Sequence, residues 1–192
     1  MKCVMLSIKP QWCEKIASGK KTIEVRKSAP KEVPFKAYIY CTKSDKYLLD
    51  RDSDGSMFCW DKKDHHYPFK YEKDHEEIFN GKVIGEFICD KVDMEFVGYI
   101  NHEPCYWDLL LDGSCLTKDE LMNYGKWATL YGWHISDLKI YGKPRELSEF
   151  FKPCSQHRNL DCDWLREHSV CACEDKKPVI RPPQSWMYVE EI

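Results

Sequence analysis

No stretch of this sequence approaches the ~20 consecutive apolar residues that a membrane-spanning helix needs. The opening segment, MKCVMLSIKP, is interrupted at Pro10 and is too short for a secretion signal, so the chain is expected to stay in the cytoplasm. An excess of positive charge is also missing. Lys and Arg number 29 against 32 Asp and Glu, a formal net charge of −3. That excludes a protein that coats nucleic acid by bulk electrostatics and leaves room only for a local patch on a short segment. Internal repeats and low-complexity linkers are absent too, and a single domain over 1–192 is expected.

What is present suits a packed domain. Hydrophobic residues make up 43% of the chain and aromatic ones 14%, enough for a sizeable core. The eleven cysteines would suggest disulfides in an exported chain. An odd number and the lack of an export signal point instead to reduced thiols, buried where scattered and metal-binding candidates where clustered.

Met1 to Lys9 carries the apolar run Val4-Met5-Leu6 with Ile8 and reads as a buried strand. Pro10 suits the first turn of a helix over Pro10–Ser18, and Gly19 suits its end. Thr22 to Arg26 alternates strictly, with Ile23 and Val25 on one face and Thr22, Glu24 and Arg26 on the other. This predicts a half-buried strand with a charged face. FKAYIYCT, from Phe35 to Thr42, predicts another strand. The polar, aperiodic region 43–80 reads as a variable insertion or long loop, with a short hairpin around Met57 to Trp60. Lys82 to Phe96 predicts one long strand, or two joined by a bend. Thr117 with Glu120 three residues on is a capping box that starts a helix, and Tyr131 to Tyr141 predicts a strand. The two prolines ahead of SWMYVEEI mark a last strand at a sheet edge. Mostly antiparallel strands with two helices predict an α+β fold built as a small mixed barrel.

The segment Gly19-x-Lys21-x-x-Glu24-x-Arg26 concentrates polar chemistry. An acid–base pair on a surface strand can serve solubility alone. The functional alternative is a polar pocket in which Lys21 supplies a mobile ammonium and Arg26 a planar fork for phosphate or a base edge. Glu24 would then accept from an amino group.

MLSIKPQWCEKIASGKKTIEVRK, from Met5 to Lys27, resembles the opening of ASCH-domain proteins, a branch of the PUA-like superfamily. Gly19, Lys21, Glu24 and Arg26 match that family's signature, and GKVIGEF from Gly81 and the Tyr131–Tyr141 run resemble its later strands. The resemblance implies a PUA-like β-barrel with flanking helices and a cleft that binds RNA, a nucleoside or a nucleotide. Lys9, Lys21, Thr22, Glu24, Arg26 and Trp186 are the ligand-binding candidates. One branch is similar to amidohydrolases of acylated cytidine, where a lysine at the position of Lys21 acts as base or nucleophile activator. Glu24 stands where that branch has a threonine, and Asp112 is nearest in order to its acid. Another branch is similar to single-strand ribonucleases. If the chain is an enzyme, Lys21 and Glu24 are its catalytic candidates. A third alternative is a protein-interaction adaptor.

The resemblance does not extend to 43–80 or 153–173. Within the latter, Cys154, His157, Cys162, Cys171 and Cys173 fall inside twenty residues. They fit either a structural zinc site or free thiols in a loop, and no cofactor is otherwise required. His65, His66 and His75 read as solvated, and His134 as a hydrogen-bonded core or rim residue.

Overall fold

The computed structural model describes residues 1–63, 79–100, 103–104, 108–153 and 177–192. The chain opens with strand β1 (Lys2–Ile8) and helix α1 (Pro10–Ala17), whose first residue is the expected proline. Next come β2 (Ile23–Arg26), β3 (Phe35–Cys41), β4 (Tyr47–Arg51) and β5 (Met57–Asp61). β6 (Val83–Cys89), β7 (Val92–Phe96), β8 (Tyr99–Ile100) and β9 (Glu103–Pro104) lead to helices α2 (Asp108–Leu111) and α3 (Lys118–Gly125). β10 (Thr129–His134), β11 (Ser136–Arg145), a 3-10 turn at Leu147–Glu149 and β12 (Trp186–Val189) complete it. No helix among the described residues is long and apolar enough to cross a membrane.

The strands form a five-stranded sheet in the order β11-β6-β3-β1-β12 and a three-stranded sheet in the order β2-β10-β7. Within the five-stranded sheet only β1 and β3 run parallel; β12 pairs with β1 at the edge, as its prolines predict. The α+β class holds, while the ladders among the described residues remain two separate larger sheets rather than a closed barrel.

Two runs each serve both sheets: one takes the form of two strands joined by a bend, one of the two forms expected for it, and the other, expected as a single strand, is also divided. Lys82 to Phe96 breaks at Asp90-Lys91 into β6 and β7, and Tyr131 to Tyr141 breaks at Ile135 into β10 and β11. They cross together: β11 pairs with β6 on one side of the break and β10 with β7 on the other. The His134 N–H donates to Lys91 O at 3.0 Å, and Ser136 Oγ donates to Ile88 O at 2.9 Å, pinning the joint. Asp137 takes φ +47 just beyond, where the β11–β6 register shifts. That bulge re-aims the strand without a glycine or proline to announce it.

The main core lies between the sheets and under α1, from Val4, Leu6, Cys13 and Ile16 to Phe87 and Trp133. Trp133 meets Phe35 edge-on at 5.0 Å and so joins the sheets. A second cluster, Ile23, Val25, Leu110, Leu121 and Leu130, seats α2 and α3 on the far face of the three-stranded sheet. The expected insertion is partly structured: β4 and β5 form a hairpin packed against α1, with Leu49 in the main core. α3 carries the predicted capping box, with Thr117 Oγ1 accepting from the Glu120 N–H at 3.2 Å.

Candidate functional site

The turn after α1 aims Lys21 inward. Gly19 adopts φ +73, and the Lys21 N–H donates to Lys15 O at 2.8 Å, closing the helix end. The loop after α2 meets this turn. The amides of Thr22 and Ile23 both donate to Gly113 O, at 2.7 and 3.0 Å. A side chain at Gly113 would place its Cβ 2.3 Å from Thr22 Oγ1, and φ there is +77. Only glycine fits both demands.

The charged face expected on β2 is not on the surface. Lys21, Glu24 and Arg26 are only 3%, 7% and 6% exposed, and all four residues of β2 are buried. Burial is tolerated because each charge is matched. Lys21 Nζ donates to Ile23 O at 2.8 Å and to Ser114 O at 2.7 Å, and lies 3.3 Å from Glu24 Oε2. The Trp12 ring stands 5.5 Å from the same ammonium. Arg26 Nη2 meets Glu24 Oε1 at 2.8 Å and donates to Ser7 O at 2.8 Å, while Nη1 donates to Ser185 O at 3.3 Å. The Arg26 fork thereby ties β2 to β1 and to the chain just ahead of β12. Lys21 is thus a fixed cation rather than a mobile one.

Two buried donors beside this triad have no hydrogen-bond partner among the described residues: Arg26 Nε and Trp133 Nε1. Trp133 pairs across the strands with Glu24, and Tyr131 with Arg26, so all four side chains lie on one face of the sheet. Half-buried Tyr124 completes the surroundings. Burial pushes its phenol pKa up, with Arg26 pulling it down and Glu24 adding to the rise.

The other expected site residues are dispersed. Trp186 is half-buried, donates from Nε1 to Ser28 Oγ at 3.0 Å and meets Trp133 edge-on at 5.7 Å, at the rim of the triad. Thr22 is exposed beside Gly113. Lys9 is exposed at the N-cap of α1. Asp112 is exposed just after α2. His134 is the hydrogen-bonded rim residue expected, with Nε2 2.6 Å from Asp93 Oδ2. Cys154, His157, Cys162, Cys171 and Cys173, like His65, His66 and His75, lie outside the described residues. Among the described residues no group of three or more His, Cys, Asp or Glu is placed to hold a metal ion. Sequence reasoning missed Trp133, whose only signal was its place in an aromatic strand.

The fold is similar to that of solved ASCH structures. The ASCH protein of Zymomonas mobilis superposes with a TM-score of 0.53 over 99% of this chain and 89% of its own, at 16% identity. Two single-residue mutants of that protein superpose at the same TM-score and 15% identity, covering 100% and 99% of this chain and 92% and 89% of theirs. The chain has the ASCH fold. No protein-family model matches the sequence, and no curated protein matches it. In this chain the Gly19–Arg26 segment is the turn and strand that carry the buried triad.

Proposed function

We propose that the chain is an RNA- or nucleotide-binding module that holds a short single-stranded segment, or one base, against the Glu24–Arg26–Trp133 face. The observation that carries this reading is the pair of buried donors, Arg26 Nε and Trp133 Nε1, flanking a carboxylate already oriented by two cations. A buried donor left without an acceptor costs about 1–3 kcal/mol, so such groups gain most from a ligand that brings oxygen atoms. Base carbonyls and phosphates both do. Each Glu24 oxygen keeps a second lone pair for an exocyclic amine. Trp186 is the rim residue on which a base would stack or which it would displace. The ASCH fold supports a small PUA-like scaffold for this role, and we take the chain to be a cytoplasmic protein.

Binding is favoured over hydrolysis by the state of Lys21. Its ammonium meets three acceptors, at 2.8, 2.7 and 3.3 Å, matching its three N–H bonds and leaving no lone pair directed at a substrate. The role left to Lys21 is to position Glu24.

Calorimetric titration with ribonucleotides and short single-stranded RNA at rising salt tests the proposal. The expected result is binding that weakens with salt, as phosphate contacts release counterions. Arg26→Lys should weaken it at least tenfold in protein verified as folded, because the Nε donor and the fork are lost. Absence of binding at millimolar ligand would overturn the reading in favour of an adaptor. Cytidine release from N-acetylcytidine that disappears in a folded Lys21 variant would put the hydrolase first.

A further inference from the structure

We propose that the indole of Trp186 is a gate over the Arg26–Trp133 face, latched shut by its hydrogen bond to Ser28, and that a nucleotide is held there only when the indole swings out. This rests on the binding reading above and adds to it a means of entry.

The donors that carry that reading are closed off. Arg26 and Trp133 are both buried, so neither Arg26 Nε nor Trp133 Nε1 meets a ligand unless something moves. The rings around Trp133 show where the way out lies. Phe35, edge-on to it at 5.0 Å, is itself fully buried in the core. Trp186, edge-on at 5.7 Å, is half-buried and in turn meets Tyr188 edge-on at 5.3 Å, where the row reaches solvent at 40% exposure. The residue just before Trp186 lies against the other donor group, since Ser185 O accepts from Arg26 Nη1 at 3.3 Å.

The backbone of this strap is fixed and its indole is not. Ser7 grips the strap twice: its N–H donates to Ser185 O at 3.0 Å and its Oγ to Pro183 O at 2.6 Å. Leu6 pairs with Trp186 in the β1–β12 ladder. Peeling the strand away would break all of these and the Arg26 contact. Turning the indole breaks one side-chain hydrogen bond, Trp186 Nε1 to Ser28 Oγ at 3.0 Å, and Ser28 is exposed. Water replaces such a bond at little cost. Among the described residues β12 is the last strand of its sheet, and Trp186 and Tyr188 share one of its faces. The turned indole therefore rests toward Tyr188 and the open edge. The open form is a minor state within reach, and a nucleotide that pairs with the uncovered donors draws the population toward it. Binding is then weaker than the site's own affinity by the fraction of molecules that stand open. Trp186 acts here as a group displaced, not as a ring on which the base stacks.

Two readouts test the gate, one of them without ligand. The buried indole N–H of Trp133 exchanges with solvent deuterium when the gate opens, at a rate read by NMR on nitrogen-labelled protein, with the signal assigned by its loss in Trp133→Phe. Calorimetry with the ribonucleoside monophosphates gives affinity. Ser28→Ala removes the acceptor of the latch, and Trp186→Phe removes its donor while keeping a ring. In each, exchange at Trp133 should quicken roughly two- to tenfold, and nucleotide should bind more tightly by the same factor. Trp186→Ala, which removes the gate, should bind at least as tightly as either. Unchanged exchange and affinity in Ser28→Ala and Trp186→Phe would overturn the gate and leave the binding reading standing. Weaker binding by folded Trp186→Ala would do the same, because it would make Trp186 a stacking ring. Failure of the parent and of all three variants to bind a nucleotide would overturn the binding reading, and the gate with it.

Discussion

Lys21 Nζ donates to the backbone carbonyl of Ser114 at 2.7 Å, joining the turn after α1 to the loop after α2. A charged side chain therefore closes a contact between parts of the chain far apart in sequence, and it does so in the interior. Lys21→Ala would leave Glu24 buried with one cation fewer and Ser114 O without its donor. A loss of about 3–5 kcal/mol is expected, the usual cost of breaking a buried pair from one side. The measurement is denaturant unfolding of parent and variant. A loss below about 1 kcal/mol, the range of exposed ion pairs, would show that the cluster is solvated. Surface placement of these residues, as the alternation of β2 suggests, would have predicted that small loss.

Gly113 supplies the second prediction. An added Cβ there would crowd Thr22 Oγ1 at 2.3 Å and sit on a left-handed backbone. Gly113→Ala should destabilise the chain by more than the ~1–2 kcal/mol of the backbone conformation alone. In a Thr22→Ala background the excess should shrink, because the next contact, Ile23 Cγ1, lies at 3.5 Å. A double-mutant cycle measures this, and strict additivity would sink the steric explanation.

The alternation of β2 was legible, and so was its charge, yet burial was not. A polar residue at every second position reads as a solvent face unless the partners that satisfy it are visible. Ser7, Ser114 and Ser185 contribute main-chain carbonyls, which no side-chain pattern reveals. Local signals fared better: Pro10 opens α1, Gly19 takes positive φ after it, and Thr117 with Glu120 caps α3. The break at Ile135 left no trace, because Asp137 rather than glycine takes the unusual backbone.

Asp93 gives a pH prediction. Burial raises its pKa, but hydrogen bonds from His134 and Lys91 outweigh this and hold it below the ordinary 3.8. A lowered folded-state pKa means that the ionised carboxylate stabilises the fold above the unfolded value, and that this is lost as pH falls through the folded one. The parent should melt above Asp93→Asn at pH 7, and the gap should close as pH drops below about 4. A gap that is constant down to pH 2 would assign the effect to packing.

The cysteine-rich segment carries a metal proposal from its spacing alone. If Cys154, Cys162, Cys171 and Cys173, or three of them with His157, hold zinc, protein purified under reducing conditions should contain about one equivalent. Metal analysis that finds none would dismiss the site.

The joint where β6–β7 and β10–β11 cross together has a consequence for how the molecule tolerates change. Because both ribbons turn at one point, the offset between the sheets is counted out in residues at Asp90-Lys91 and at Ile135. Deleting one residue at either place would flip the side chains beyond it to the opposite face. At Ile135 the carboxylate of Glu24 would lose the indole of Trp133 as its cross-strand neighbour, or the β11–β6 ladder would have to slip instead. Length variation is therefore expected to accumulate in the β4–β5 hairpin and away from this hinge of fixed count, much as a gear train accepts a longer shaft but never an extra tooth.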